Sequence, residues 1–241
     1  MKRVFLMYVL FLFATAELQA ANAPAGKETG SWGGEAELGY VQTSGNTDTT
    51  SINARIDLLK RHGPWKHEVE ITALRSSDQG MTTADSVSAR YRAQYGLTEI
   101  DYLFGSLRVE DNRFAGFDRR LTEVLGYGRT VIHTEAHTLS LEAGVGARQT
   151  DNVDGTQNDE TIIRLALDYA WQITETSSFK ENIFVEQGSD NRLTESVTEL
   201  KLRINGNLSM KTTLTIKDNS HVPVGTENTD VTTAVTLVYD F

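Results

Sequence analysis

Charged side chains recur at every second position through this chain. Glu35 and Glu37, Arg55 and Asp57, Glu68 and Glu70, and Arg90 and Arg92 are each two residues apart. Arg108, Glu142, Arg148, Arg164, Asp168, Lys201 and Arg203 continue the set, with Glu110, Lys180, Glu186, Glu199 and Asp240 beside them. Acids and bases spaced in this way can select small solutes along a wet passage. They can also neutralise one another and close it. Arg90 and Arg92 beside Glu68 and Glu70 are the first expected ion pairs, because opposite charges on neighbouring strands attract when they face each other.

A spacing of two is the period of a β-strand, whose successive side chains point to opposite faces. The residues between the charges are apolar. Val87, Ala89, Tyr91, Ala93, Tyr95 and Leu97 alternate with Ser88, Arg90, Arg92 and Gln94. Ile163, Leu165, Leu167, Tyr169, Trp171 and Ile173 alternate with Arg164, Ala166, Asp168, Ala170 and Gln172. No soluble core needs adjacent inward arginines; a polar barrel lumen facing away from lipid does. The whole chain divides into about twelve such strands, so the expected fold is all-β, a transmembrane antiparallel barrel with both termini periplasmic. The register of Arg120 to Ile132 is ambiguous, since Glu123 and Arg129 share a face with Leu121, Leu125 and Tyr127. Glu181 and Phe184 break the alternation of their strand.

The connections are expected to alternate in length. His62-Gly63-Pro64, Thr98-Glu99-Ile100, the His133 to His137 stretch, Glu175-Thr176 and Ser209-Met210-Lys211 read as tight turns. Longer polar loops are expected at about Ser76 to Thr83, Asp111 to Asp118, Thr150 to Asp159, Gly188 to Thr194 and Asp218 to Thr229. Trp32, Trp65, Tyr95, Trp171, Phe179 and Phe241 all fall on the apolar face at the tight-turn end. That is where a membrane-interface girdle of aromatics belongs.

Bulk properties agree. Lys2 and Arg3, the apolar run Val4 to Ala16 and Leu18-Gln19-Ala20 read as a signal peptide over residues 1–20, cleaved after Ala20 or after Ala23. Residues 21–30 read as a linker and 31–241 as the barrel. Cysteine is absent, so barrel closure must supply what disulfides give other exported proteins. The formal charge is −10, which argues against a nucleic-acid partner. Mean hydropathy is slightly negative, as suits a barrel in which only alternate residues meet lipid.

Other clusters carry structural readings. Gly126, Gly128, Gly144 and Gly146 form a glycine block, either a ligand groove or a place of close strand contact. Asp78, Asp111, Asp118, Asp151, Asp154, Asp159, Asp190, Asp218 and Asp230 form an acidic rim without the spacing of a calcium loop. His62, His67, His133 and His137 gather at the tight-turn end as interfacial residues. No metal site, cofactor or catalytic constellation is expected.

Trp32-x-Gly34, Glu37-x-Gly39, Thr43-Ser44-Gly45-Asn46-Thr47 and the final strand ending Tyr239-Asp240-Phe241 resemble the YdiY-like salt-induced outer-membrane proteins. The resemblance spans essentially the mature chain. It implies an outer-membrane barrel and hands over no catalytic or binding residues. The likeness of Val231–Phe241 to barrel closing strands implies that Tyr239 and Phe241 signal to the barrel-assembly machinery. The other expected partners are outer-membrane lipid and lipopolysaccharide. Three roles stand open: a narrow channel or passive uptake protein for small solutes linked to salt or osmotic stress; a closed structural barrel with a salt-bridged lumen; and a soluble periplasmic β-protein.

Overall fold

A computed structural model describes residues 32–43, 49–222 and 227–241. The expected signal peptide and linker, and most of the Thr43 to Thr47 motif, lie outside the described residues. The strands are β1 (Gly33–Thr43), β2 (Thr49–His62), β3 (Trp65–Asp78), β4 (Met81–Gly96), β5 (Asp101–Asn112), β6 (Phe117–His133), β7 (His137–Asn152), β8 (Gln157–Thr174), β9 (Ser177–Gln187), β10 (Arg192–Asn205), β11 (Leu208–Asn219) and β12 (Thr229–Asp240). Each pairs antiparallel with its sequence neighbours, and β12 returns to β1, so the sheet closes. Closure leaves no free sheet edge within a membrane, where no water would satisfy one.

The closing seam joins Glu35 to Asp240 and Leu38 to Leu237. Gly34 and Phe241 exchange backbone hydrogen bonds at 2.9 and 3.0 Å. Both ends of the barrel chain therefore lie at one rim, the rim that also carries the turns after β2, β4, β6, β8 and β10.

The two faces invert a soluble core. Leu125 is 71% exposed and Val145 62%, with Leu38, Ile71, Val87, Leu165 and Leu237 also exposed on the outside. Arg148 and Glu186 are each 1% exposed on the inside. Only an apolar medium covers such an outer surface favourably, and only partner charges make such an interior tolerable. β6 resolves its ambiguous register with Thr122 and Val124 buried inside and Glu123, Leu125 and Tyr127 outside. Arg129 pairs with Asp101 at 3.6 Å on the outer surface.

Several strands outrun their expected ends. The loop expected at about Ser76 to Thr83 is a two-residue turn, Gln79-Gly80, with φ of 49° and 78°. Both values suit a hairpin turn of the type that matches strand twist. The turn expected at Ser209-Met210-Lys211 lies instead at Gly206-Asn207. β8 begins at Gln157, six residues before Ile163. Ladder hydrogen bonds need no apolar side chains, so pairing continues where the apolar alternation has stopped. The length contrast between the two sets of connections is correspondingly smaller than expected.

The glycine block is a place of close approach. Gly126 lies opposite both Phe104 and Gly144. A Cβ on Gly126 would stand 2.6 Å from the Phe104 ring and 2.5 Å from the Ala143 carbonyl oxygen. Its absence lets Phe104 pack inward with Val124 and Ile162, which fill one side of the lumen.

Candidate functional site: the charged lumen

The interior charges form a lattice that crosses the barrel. Near the seam, Lys211 Nζ donates to Glu35 Oε2 and Glu37 Oε1, both at 2.7 Å. Lys201 Nζ reaches Glu35 Oε1 at 3.0 Å and Asp240 Oδ1 at 2.5 Å. Arg55 gathers four acids: Glu37 at 4.0 Å, Asp57 at 2.8 Å, Glu70 at 2.5 Å and, from β10 across the lumen, Glu199 at 2.8 Å. Glu70 also pairs with Arg90 on β4 at 3.3 Å, and Glu68 with Arg92 at 3.6 Å. Arg92 bonds more closely to Glu142 on β7, whose Oε1 also accepts from Tyr102 Oη at 2.7 Å.

Towards the other rim, Glu186 is shared by three guanidinium groups. Arg164 Nη1 lies at 2.6 Å, Arg108 Nη2 at 3.3 Å and Arg148 Nη1 at 3.7 Å. Arg148 also holds Glu160 at 2.5 Å. Lys217 on β11 bridges Glu195 at 3.2 Å and Glu110 on β5 at 3.5 Å. β5 and β11 are half a turn of the barrel apart, so this last contact spans the lumen. Inward phenylalanines lie against arginines: Phe184 against Arg164 at 3.9 Å and Arg108 at 5.1 Å, Phe104 against Arg92 at 4.2 Å. The flat guanidinium stacks on a ring while its edge bonds carboxylates, which lysine cannot do.

The lattice does not fill the barrel. A cavity of about 1270 Å³ touches Arg61 and Glu99 at the tight-turn rim and Thr83, Phe114 and Asp230 at the opposite rim.

Glu35, Glu37, Arg55, Asp57, Glu68, Glu70, Arg90, Arg92, Arg108, Glu142, Arg164 and Asp168 line this cavity. Three further residues expected along the lumen stand apart from it. Arg148 is sealed in the wall by Glu160 and the Asn191 carbonyl. Lys201 is engaged between Glu35 and Asp240. Arg203 is exposed, three residues before the Gly206 turn, and so sits at the rim. Lys211, Lys217, Glu160, Glu195 and Arg120 are interior charges that the apolar alternation does not reveal. They sit on strand ends beyond that alternation or on strands whose pattern is weak.

On the outside, Trp32, Trp65, Tyr95, Trp171, Tyr239 and Phe241 are exposed and Phe179 half-buried, all near the tight-turn rim. The four histidines lie at the tight-turn rim, on the β2–β3 and β6–β7 hairpins. His67 Nδ1 bonds Tyr91 Oη and His137 Nδ1 bonds Tyr169 Oη, each at 2.9 Å and each beside a stacked tryptophan. His62 and His133 stand exposed. Among the described residues the one carboxylate group tight enough for a cation is Glu35, Glu37 and Asp57, whose neighbours Lys211 and Arg55 already supply positive charge. In the loop after β7, the Thr156 hydroxyl and N–H bond the Asp154 carboxylate and lower its pKa.

A family model described as "Protein of unknown function, DUF481" matches residues 36–241. The uncharacterized protein YdiY of Escherichia coli (strain K12) is 27% identical over 207 residues, which cover 86% of this chain and 82% of that protein. Among solved structures, a NanC porin superposes with a TM-score of 0.54 at 10% identity, over 86% of this chain and 98% of that one. The COG4313 outer membrane channel from Pseudomonas putida F1 superposes with a TM-score of 0.56 at 12% identity, over 91% of this chain and 100% of that one. The fold is that of outer-membrane β-barrels.

Proposed function

The chain belongs to the family of proteins of unknown function DUF481, and from that premise we propose that it is an outer-membrane barrel whose lumen passes small solutes. The cavity that reaches both rims between paired charges carries this reading. A passage lined by fixed ion pairs presents alternating donors and acceptors that replace part of a solute's hydration. Both termini then face the periplasm, with the aromatic rim at the inner membrane surface and the acidic connections towards lipopolysaccharide. Passage of small ions or osmolytes under salt load belongs to the same proposal.

A second reading has its own support. The contacts from Arg55 to Glu199 and from Lys217 to Glu110 cross the lumen and brace it, as a closed structural barrel requires. Planar bilayers separate the two. Discrete current steps from purified protein support the passage; bilayers that take up the protein and never step leave the closed barrel.

A further inference from the structure

Arg120 is the exception in the lattice. It points inward from β6, opposite Glu110 on β5 and Thr150 on β7. It is 9% exposed, yet among the described residues it meets no carboxylate, and its buried Nε has no hydrogen-bond partner. Its guanidinium lies 4.0 Å from the Phe117 ring. The carboxylate on the facing residue, Glu110, lies within ion-pair distance of Arg108 at 3.3 Å and Lys217 at 3.5 Å but not of Arg120.

The charges around it leave one cation over. Arg108, Arg148, Arg164 and Lys217 each have a carboxylate partner among Glu110, Glu160, Glu186 and Glu195; Arg120 does not. A buried charge without a counter-charge is costly. The neighbouring Thr122 Oγ1 is also without a hydrogen-bond partner, whereas Arg148 Nη1 faces Glu186 at 3.7 Å. Thr122 lies directly opposite Arg148 and two residues along the same face from Arg120, about 7 Å by strand geometry. Thr122 lines the cavity, so an ion in the lumen reaches the Thr122 end of this pair. Glu110 and Glu186 border it and limit what fits: a compact ion of one negative charge is balanced there, a multiply charged one is repelled.

We propose that Arg120 and Thr122 bind one small monovalent anion, a halide or a carboxylate group, drawn from the lumen. The site neutralises the excess cation and does not depend on whether solutes traverse the barrel. Thermal unfolding of the full-length protein in detergent, followed by tryptophan fluorescence, tests it. Sodium chloride and sodium acetate are titrated separately against a bulky sulfonate salt at equal ionic strength. The melting temperature rises saturably with chloride or acetate, as linkage to a folded-state site requires, and not with the sulfonate. Arg120→Gln abolishes that rise, Thr122→Val moves its midpoint roughly tenfold higher, and Arg119→Gln on the outer face leaves it intact. Bromide-soaked crystals of the unaltered protein give an independent reading, with anomalous density within about 3.5 Å of the Arg120 guanidinium. Equal responses to all three salts, an unchanged response in Arg120→Gln, or bromide sites all remote from Arg120 would overturn the proposal.

Discussion

Replacing Glu186 with glutamine removes the negative charge that three arginines share. The change conserves volume and keeps one acceptor, so the loss is electrostatic. Arg108 retains Glu110 and Glu195, and Arg148 retains Glu160. Arg164 retains no carboxylate, since Glu186 at 2.6 Å is its one ion-pair partner among the described residues. Glu186→Gln therefore orphans one buried guanidinium, and breaking a buried pair from one side costs about 3–5 kcal/mol. Equilibrium urea unfolding in lipid vesicles, read by the three tryptophans, measures it. Adding Arg164→Met removes the orphaned charge while keeping apolar contact with Phe184. The double variant should then be more stable than Glu186→Gln alone, a coupling that a double-mutant cycle isolates. A loss below about 1 kcal/mol for Glu186→Gln, or a double variant less stable than the sum of the singles, would refute the idea that the lattice is mutually dependent.

Three other substitutions probe facing, close approach and closure. Leu167, opposite Leu141 and Ile183 on the outer face, should cost roughly 2–4 kcal/mol as Leu167→Arg in bilayers. Ala166→Arg, inside against Phe184 and Leu193, should instead change conductance; equal effects on both readouts would mean the facing is wrong. Gly126→Ala should cost about 1–3 kcal/mol through overpacking against Phe104, with Phe104→Leu recovering part of it in unfolding measurements. Deleting Phe241 removes two hydrogen bonds from a short seam and should lower the amount of folded barrel in membrane fractions; normal levels would count against a role in closure.

Facing was legible in the sequence because lipid and lumen impose opposite chemistries on alternate residues. Arg90 and Arg92 against Glu70 and Glu68 followed from strand order alone, since neighbouring hairpin strands must meet. The contacts across the barrel did not. Arg55 reaches Glu199, 144 residues away, and which strands oppose one another depends on stagger and closure, which local pattern does not encode. Glu181 and Phe184 broke the alternation for physical reasons that need neighbours to see. Outward Glu181 accepts hydrogen bonds from the Ser196 and Thr198 hydroxyls at 2.7 and 2.6 Å. Inward Phe184 lies between Arg108 and Arg164. Lys211, Lys217 and Glu160 escaped notice because the apolar signal fades before the strands end.

The native chain has no cysteine, so single thiols report on the lumen without background. Ser106 lines the cavity from β5, whereas Val145 projects outward from β7. The most direct test of a conducting lumen is single-channel recording of Ser106→Cys and Val145→Cys during addition of a bulky thiol reagent. Current steps are expected in both variants, with a stepwise fall in conductance on labelling Ser106→Cys and none on labelling Val145→Cys. Absence of steps, or block through Val145→Cys with Ser106→Cys indifferent to the label, would contradict it.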